Sequence, residues 1–231
     1  MAITNAETHR YSREDALRSR QFQLLLEGAR ELPDSHAQDT RFVILVAGRL
    51  GLRAGEIAHI QRDWVDFRRQ MIEIPVHEPC QKGMDGGVCG YCRAQSAQAA
   101  DANDDLSQAD AEARMWSPKT VASAREVPFG HNPRATLAIE RFFNRHDEWP
   151  FSRAVVNRRV TAAAEHAAEV DADHCYPHAL RATAATTLAD NGLDIIPLKA
   201  FMGWSKLETA KHYLSKSGKN TARALERVHA L

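Results

Sequence analysis

Residues 176–213, YPHALRATAATTLADNGLDIIPLKAFMGWSKLETAKHY, read as three short helical segments in succession. The first, LRATAATTLAD, is small and apolar and closes at Asn191–Gly192, where glycine accepts the left-handed turn that ends a helix. The second, DIIPLKAFM, has Asp194 in the N-cap position and Gly203 as its stop. The third, SKLETAKHYL, places Ser205 and Glu208 in capping-box register and brings Tyr213 nine positions after Trp204. A tyrosine on a helix is ordinarily a half-buried packing residue. It acquires chemistry when cations able to hold an anion, and groups able to move a proton, come from elsewhere in the chain.

Outward from this block the pattern stays helical. Residues 11–32 predict a helix opened by Ser12 with Leu17, Phe22, Leu25 and Leu26 on one face. After a break at PDSHAQD, a second helix runs through TRFVILVAGRL to Gly51, and a short third occupies AGEIAHI. WVDFRRQMIEIPV alternates as two strands about a turn at Arg68–Gln70, and REVPF at 125–129 supplies a third strand. Further helices fall near 134–146 and 153–170, and the last is TARALERVHAL. The fold class is mainly α with a small antiparallel β-sheet (α+β), in a single domain over 1–231 carrying an insertion at 77–116.

The 231 residues, 44% hydrophobic and 26% charged, suit a globular domain with a sizeable core. The start MAITNAETHRYSRED has no apolar region of a secretory signal, and the longest apolar run, FVILVA at 42–47, is too short to span a bilayer. These features predict a cytoplasmic protein with no membrane partner. Thirty basic residues balance thirty acidic ones, but five carboxylates fall in 101–113 without a single Lys or Arg. The remainder is therefore net basic, which leaves room for a basic face.

The insertion opens with HEPCQKGMDGGVCGYC. His77, Cys80, Cys89 and Cys92 form two x2-spaced pairs about a glycine-rich turn, the knuckle spacing of a structural zinc site. Clustering of three of four cysteines favours metal over a disulfide in a reducing compartment. His77 is the weakest of the four, and Asp85 or a distant histidine is the alternative. This zinc loop, 77–92, is followed by an acidic polar segment at 94–113. Cys175 stands apart as a packing residue.

At the head of the opening block His178 and Arg181 lie three apart, on one helical face. Arg53, followed by Glu56, stands between two helices, and Lys119 precedes the third strand. Singly each signal is weak. In this order, with the words GLRAGEIAHI, KTVASAREVPF and PHALRATAATTLADNGLDIIPLKAFMGWSKLETAKHYL, they resemble the tyrosine recombinases, the phage and plasmid integrase family. The resemblance covers most of residues 12–214.

That resemblance implies a site-specific recombinase that cleaves double-stranded DNA through a 3′-phosphotyrosine, with no cofactor for catalysis and zinc in a structural role only. Tyr213 is the implied nucleophile, Arg53 and Arg181 hold the phosphate, Lys119 protonates the leaving 5′-oxygen and His178 assists proton transfer. Trp204 stands where the family commonly has histidine; it donates an N–H or packs beneath the site. An integrase-like DNA-binding regulator, or strand relaxation of the type IB topoisomerase kind, is the alternative. The family's usual N-terminal clamp domain is not expected here, so an accessory DNA-binding protein is a candidate partner. The expected assembly is a homo-tetramer on DNA from monomers in solution, with the 221–231 helix packing in trans. Composition and the cysteine loop lean towards an archaeal plasmid or virus.

Overall fold

Helix α2, Asp34–Gly48, is the axis of the computed structural model, which describes residues 13–118, 120–214 and 225–226. Its run Phe42–Gly48 is apolar on every side and is buried throughout, as a helix surrounded by others must be. Around it pack α6 (Pro133–Phe143), α7 (Arg153–Glu165) and α8 (Pro177–Asp190), with α1 (Ser19–Gly28) against α7. Phe42 stacks on Phe142 at 4.0 Å between centroids, and Trp149 extends the stack.

Beside this bundle lies a three-stranded antiparallel sheet, β1 (Val65–Asp66), β2 (Met71–Ile74) and β3 (Arg125–Pro128), in spatial order β1-β2-β3. Ile72 pairs with both Val65 and Val127, and Gln70 takes φ 54° in the turn. The expected α+β class and all three strands are present. Between β2 and β3 the acidic insertion, expected as a polar segment, forms α4 (Gly90–Asp101) and α5 (Gln108–Ala113), the second capped by Ser107. Among the described residues no helix is long and apolar enough to cross a membrane.

Several expected boundaries move. The helix α1 begins at Ser19, because residues 13–15 form a turn in which Asp15 accepts from the Tyr176 hydroxyl at 2.6 Å. Helix α2 begins at Asp34, so the expected break is its first turn. The short α3, Ala54–His59, and α9, Ile195–Met202, fall where expected, and Gly203 closes α9 at φ 60°. The capping box at Ser205 and Glu208 is absent: α10 spans Leu207–Lys211, and Glu208 pairs with Lys211 at 3.1 Å, so its carboxylate is not turned back. Tyr213 therefore sits in the turn after α10. The expected helix at 221–231 lies outside the described residues apart from Leu225 and Glu226.

Candidate active site

Helices α2 and α9 both end at the same place, and the last carbonyls of a helix have no partner within it. Three arginines fill that vacancy at the end of α9, and one of them also reaches the turn that follows α2. Buried Arg181 donates through Nη1 to the Gly51 carbonyl and through Nη2 to that of Met202. Arg53 donates to the Gly203 carbonyl at 3.0 Å, and Arg125 through Nε to that of Phe201 at 2.8 Å. A cation at a helix C-terminus also meets the negative end of its dipole. Each glycine must take a left-handed backbone here, Gly51 at φ 67° and Gly203 at φ 60°.

Beneath the arginines lies Glu56, 1% exposed, on the first turn of α3. Its Oε1 accepts from Arg53 at 2.7 Å and from Arg125 at 2.9 Å, and its Oε2 from Arg125 at 3.1 Å. Burial alone pushes this carboxyl up, but Arg125, then Arg181 and Arg53, outweigh it and hold the group at about 2. Burial, then repulsion from Arg53, presses Arg181 well below the ordinary guanidinium value, with Glu56 opposing. Glu56 thus fixes two guanidinium groups and offsets part of the charge they concentrate.

These groups open on a cleft of about 1010 Å³ whose lining includes Arg53, His178, Arg181, Trp204 and Tyr213. His178, exposed, occupies the first turn of α8 and Arg181 the next. Tyr213 lies with its ring stacked on Trp204, and its phenol is pushed up by burial while Arg181 and Arg13 draw it back. Lys119 lies outside the described residues; its neighbour Pro118 lines the cleft. The site also takes in Arg13 and Arg153, which the sequence did not single out, and among its described lining residues Glu56 is the sole carboxylate.

Next to the cleft, His59, Cys80, Cys89 and Cys92 bring their ligand atoms within 4.8 Å of one another, all buried. The fourth member is His59, not His77: the His77 Nδ1 is spent on the carbonyls of Arg114 and Trp116, both at 3.1 Å. Asp85 is engaged by Arg93 at 3.0 Å. Sulfur-to-Nε2 distances of 3.5, 3.6 and 3.3 Å match the edge of about 3.6 Å expected of tetrahedral zinc with sulfur and imidazole ligands. His59 donates its Nδ1–H to the Gly55 carbonyl at 2.8 Å, which turns the Nε2 lone pair to the sulfurs. The donor set, its burial and its spacing fit a metal ion. Cys175 is buried, its thiol pushed up to about 12 by desolvation, as a packing residue should be.

The phage integrase family matches residues 15–219. A tyrosine recombinase XerC of Corynebacterium glutamicum is 31% identical over 116 residues, covering 46% of this chain and 37% of that protein. The XerC of Corynebacterium efficiens is 36% identical over 73 residues, 31% of this chain and 24% of the relative. Among solved structures, the Tn1549 transposon integrase in complex with transposon right end DNA aligns at TM-score 0.60 and 19% identity, covering 94% of this chain and 66% of that one. XerH recombinase bound to difH substrate aligns at 0.57 and 14%, covering 91% and 53%. The chain thus spans less than two thirds of each of these proteins. The expected archaeal origin gains no support from the corynebacterial relatives.

Proposed function

The chain belongs to the phage integrase family, and on that premise we propose that it is a site-specific DNA recombinase whose nucleophile is Tyr213. The observation that carries this reading is the convergence of Arg53, His178, Arg181, Trp204 and Tyr213 on one cleft, with the arginines fixed by helix-end carbonyls. The relatives, recombinases and an integrase held on DNA, support it.

In this reading the Tyr213 oxygen attacks a DNA phosphorus, forming the Tyr–O–P bond as the P–O5′ bond breaks. The phenolic proton passes toward His178, and Lys119 gives a proton to the departing 5′-oxygen. Charge growing on the two non-bridging oxygens meets Arg53 and Arg181, whose forks can each grip a phosphate. Trp204 serves as the shelf that holds the tyrosine ring. The linkage preserves the phosphodiester energy, so rejoining needs neither nucleotide nor catalytic cofactor.

His59, Cys80, Cys89 and Cys92 would hold a structural zinc. We assign residues 77–116 as an insertion in one catalytic domain, acting as a homo-tetramer on DNA in the cytoplasm, with any accessory DNA-binding protein supplying further contacts. A nicked suicide duplex incubated without added divalent metal tests the reading: a denaturing gel should show a covalent adduct, and its absence across candidate attachment sequences would reject the recombinase.

A further inference from the structure

Helix α4 begins inside the metal cluster, since Cys89 is its N-cap and Cys92 its third residue. Tyr91, Gln95 and Gln98, spaced i, i+4 and i+7, line the catalytic cleft, while Cys92 and Ser96 on the adjoining stripe are buried. Although the insertion is acidic, this stripe carries no carboxylate. Tyr91 presses on α3 where there is no side chain: a Cβ at Gly55 would lie 3.4 Å from the Tyr91 hydroxyl oxygen. The Arg153 guanidinium sits 4.9 Å over the same ring. Lys82, in the loop between ligands, donates to the Ala58 carbonyl at 2.8 Å.

The insertion is therefore fastened to α3, the helix that has Arg53 at its N-cap and His59 at its end. We propose that zinc held by His59, Cys80, Cys89 and Cys92 pins α4 as a second wall of the DNA cleft, with Tyr91, Gln95 and Gln98 contacting the duplex. The inference rests on the recombinase reading for its ligand, and charge complementarity supports that ligand: Arg13, Arg53, Arg153 and Arg181 face the same space. Glutamine amides carry both a donor and an acceptor, which suits groove edges and sugar–phosphate alike. The metal would tie three cysteines, from both sides of the glycine-rich turn, to the helix that carries Arg53 at its N-cap. Zinc loading thereby sets both the wall and the start of the catalytic surface.

The test uses the full chain, its zinc content by plasma mass spectrometry, and its affinity for a fluorescent random-sequence duplex by anisotropy. Native protein should hold one zinc per chain, and Cys92→Ser should lose it together with DNA affinity. Gln95→Glu, which places a charge in the cleft, should keep zinc and melting temperature but bind DNA roughly tenfold more weakly, the loss easing in salt. Arg93→Gln, which makes the same change of net charge on the opposite, exposed side of the helix, should change affinity by less than about twofold. Equal binding by Gln95→Glu and Arg93→Gln, or a zinc-free native protein after folding with zinc, overturns the inference. Absence of a covalent adduct in the native protein would instead overturn the recombinase reading, and the binding comparison would still decide whether α4 faces DNA.

Discussion

The rings of Trp204 and Tyr213 lie face to face, 5.1 Å between centroids and 15° from parallel, and Arg181 sits 6.0 Å from the centre of the same indole. In the recombinase reading the indole is thus a spacer that sets the proposed nucleophile beside a proposed phosphate-binding cation. A shelf requires a flat ring, whereas a donor requires the indole N–H. Trp204→Phe should retain covalent adduct formation within about threefold, and Trp204→Ala should lower its rate on the order of a hundredfold. Single-turnover cleavage of a suicide duplex measures both; equal losses would restore the donor role.

Glu56 titrates at about 2 in the folded chain against an ordinary 4.5. Its stabilising contribution is complete above 4.5 and is lost as pH falls towards 2, on the order of 3 kcal/mol for a shift of that size. Glu56→Gln should remove this pH dependence, and at neutral pH it should destabilise by about 3–5 kcal/mol because Arg125 and Arg181 lose their buried counter-charge. Urea melts of both proteins from pH 7 to 3 would converge; parallel curves would contradict the assignment.

The proposed metal ligands differ from the set that the spacing suggests in one testable position. His59→Ala should abolish zinc binding, and His77→Ala should leave one zinc per chain, since His77 is bonded to carbonyls instead. Loss of the ion should also lower the melting temperature, because binding energy at such a site is folding energy. Zinc lost from His77→Ala alone would reinstate the ligand that the spacing had suggested.

Arg53 shares its guanidinium between Glu56, the Gly203 carbonyl and the cleft. A lysine carries the charge but cannot present the same fork. Arg53→Lys should therefore keep most DNA affinity while slowing adduct formation on the order of a hundredfold. A parallel loss of affinity and rate would mean that Arg53 only binds.

Local chemistry made the helices and strands legible: glycines at 51, 192 and 203, and alternation in β2, act over a few residues. What the sequence concealed is long-range. Arg125 meets Glu56 across 69 positions and His59 meets Cys80 across 21; neither partnership leaves a spacing to read, and the nearer His77 drew the metal assignment. PDSHAQD, 33–39, reads as a break because proline punctuates chains, yet a proline at a helix boundary also starts one. The 94–113 segment reads as acidic and polar, although the alanines and glutamines of its first part favour a helix that continues from Cys89 and Cys92.

The identity of the nucleophile decides the recombinase reading, and the three tyrosines among the described residues all line the cleft. The Tyr176 hydroxyl is committed to Asp15 and the Tyr91 ring to Arg153, whereas Tyr213 lies beside Trp204 and Arg181. The most direct measurement traps the covalent adduct on a nicked duplex, trims the DNA with nuclease, digests with trypsin and maps the attached nucleotide by mass spectrometry. The added mass is expected on the peptide His212–Lys216 at Tyr213, with its complete loss in Tyr213→Phe. A nucleotide on Tyr91 or Tyr176, or an adduct that survives in Tyr213→Phe, would contradict it.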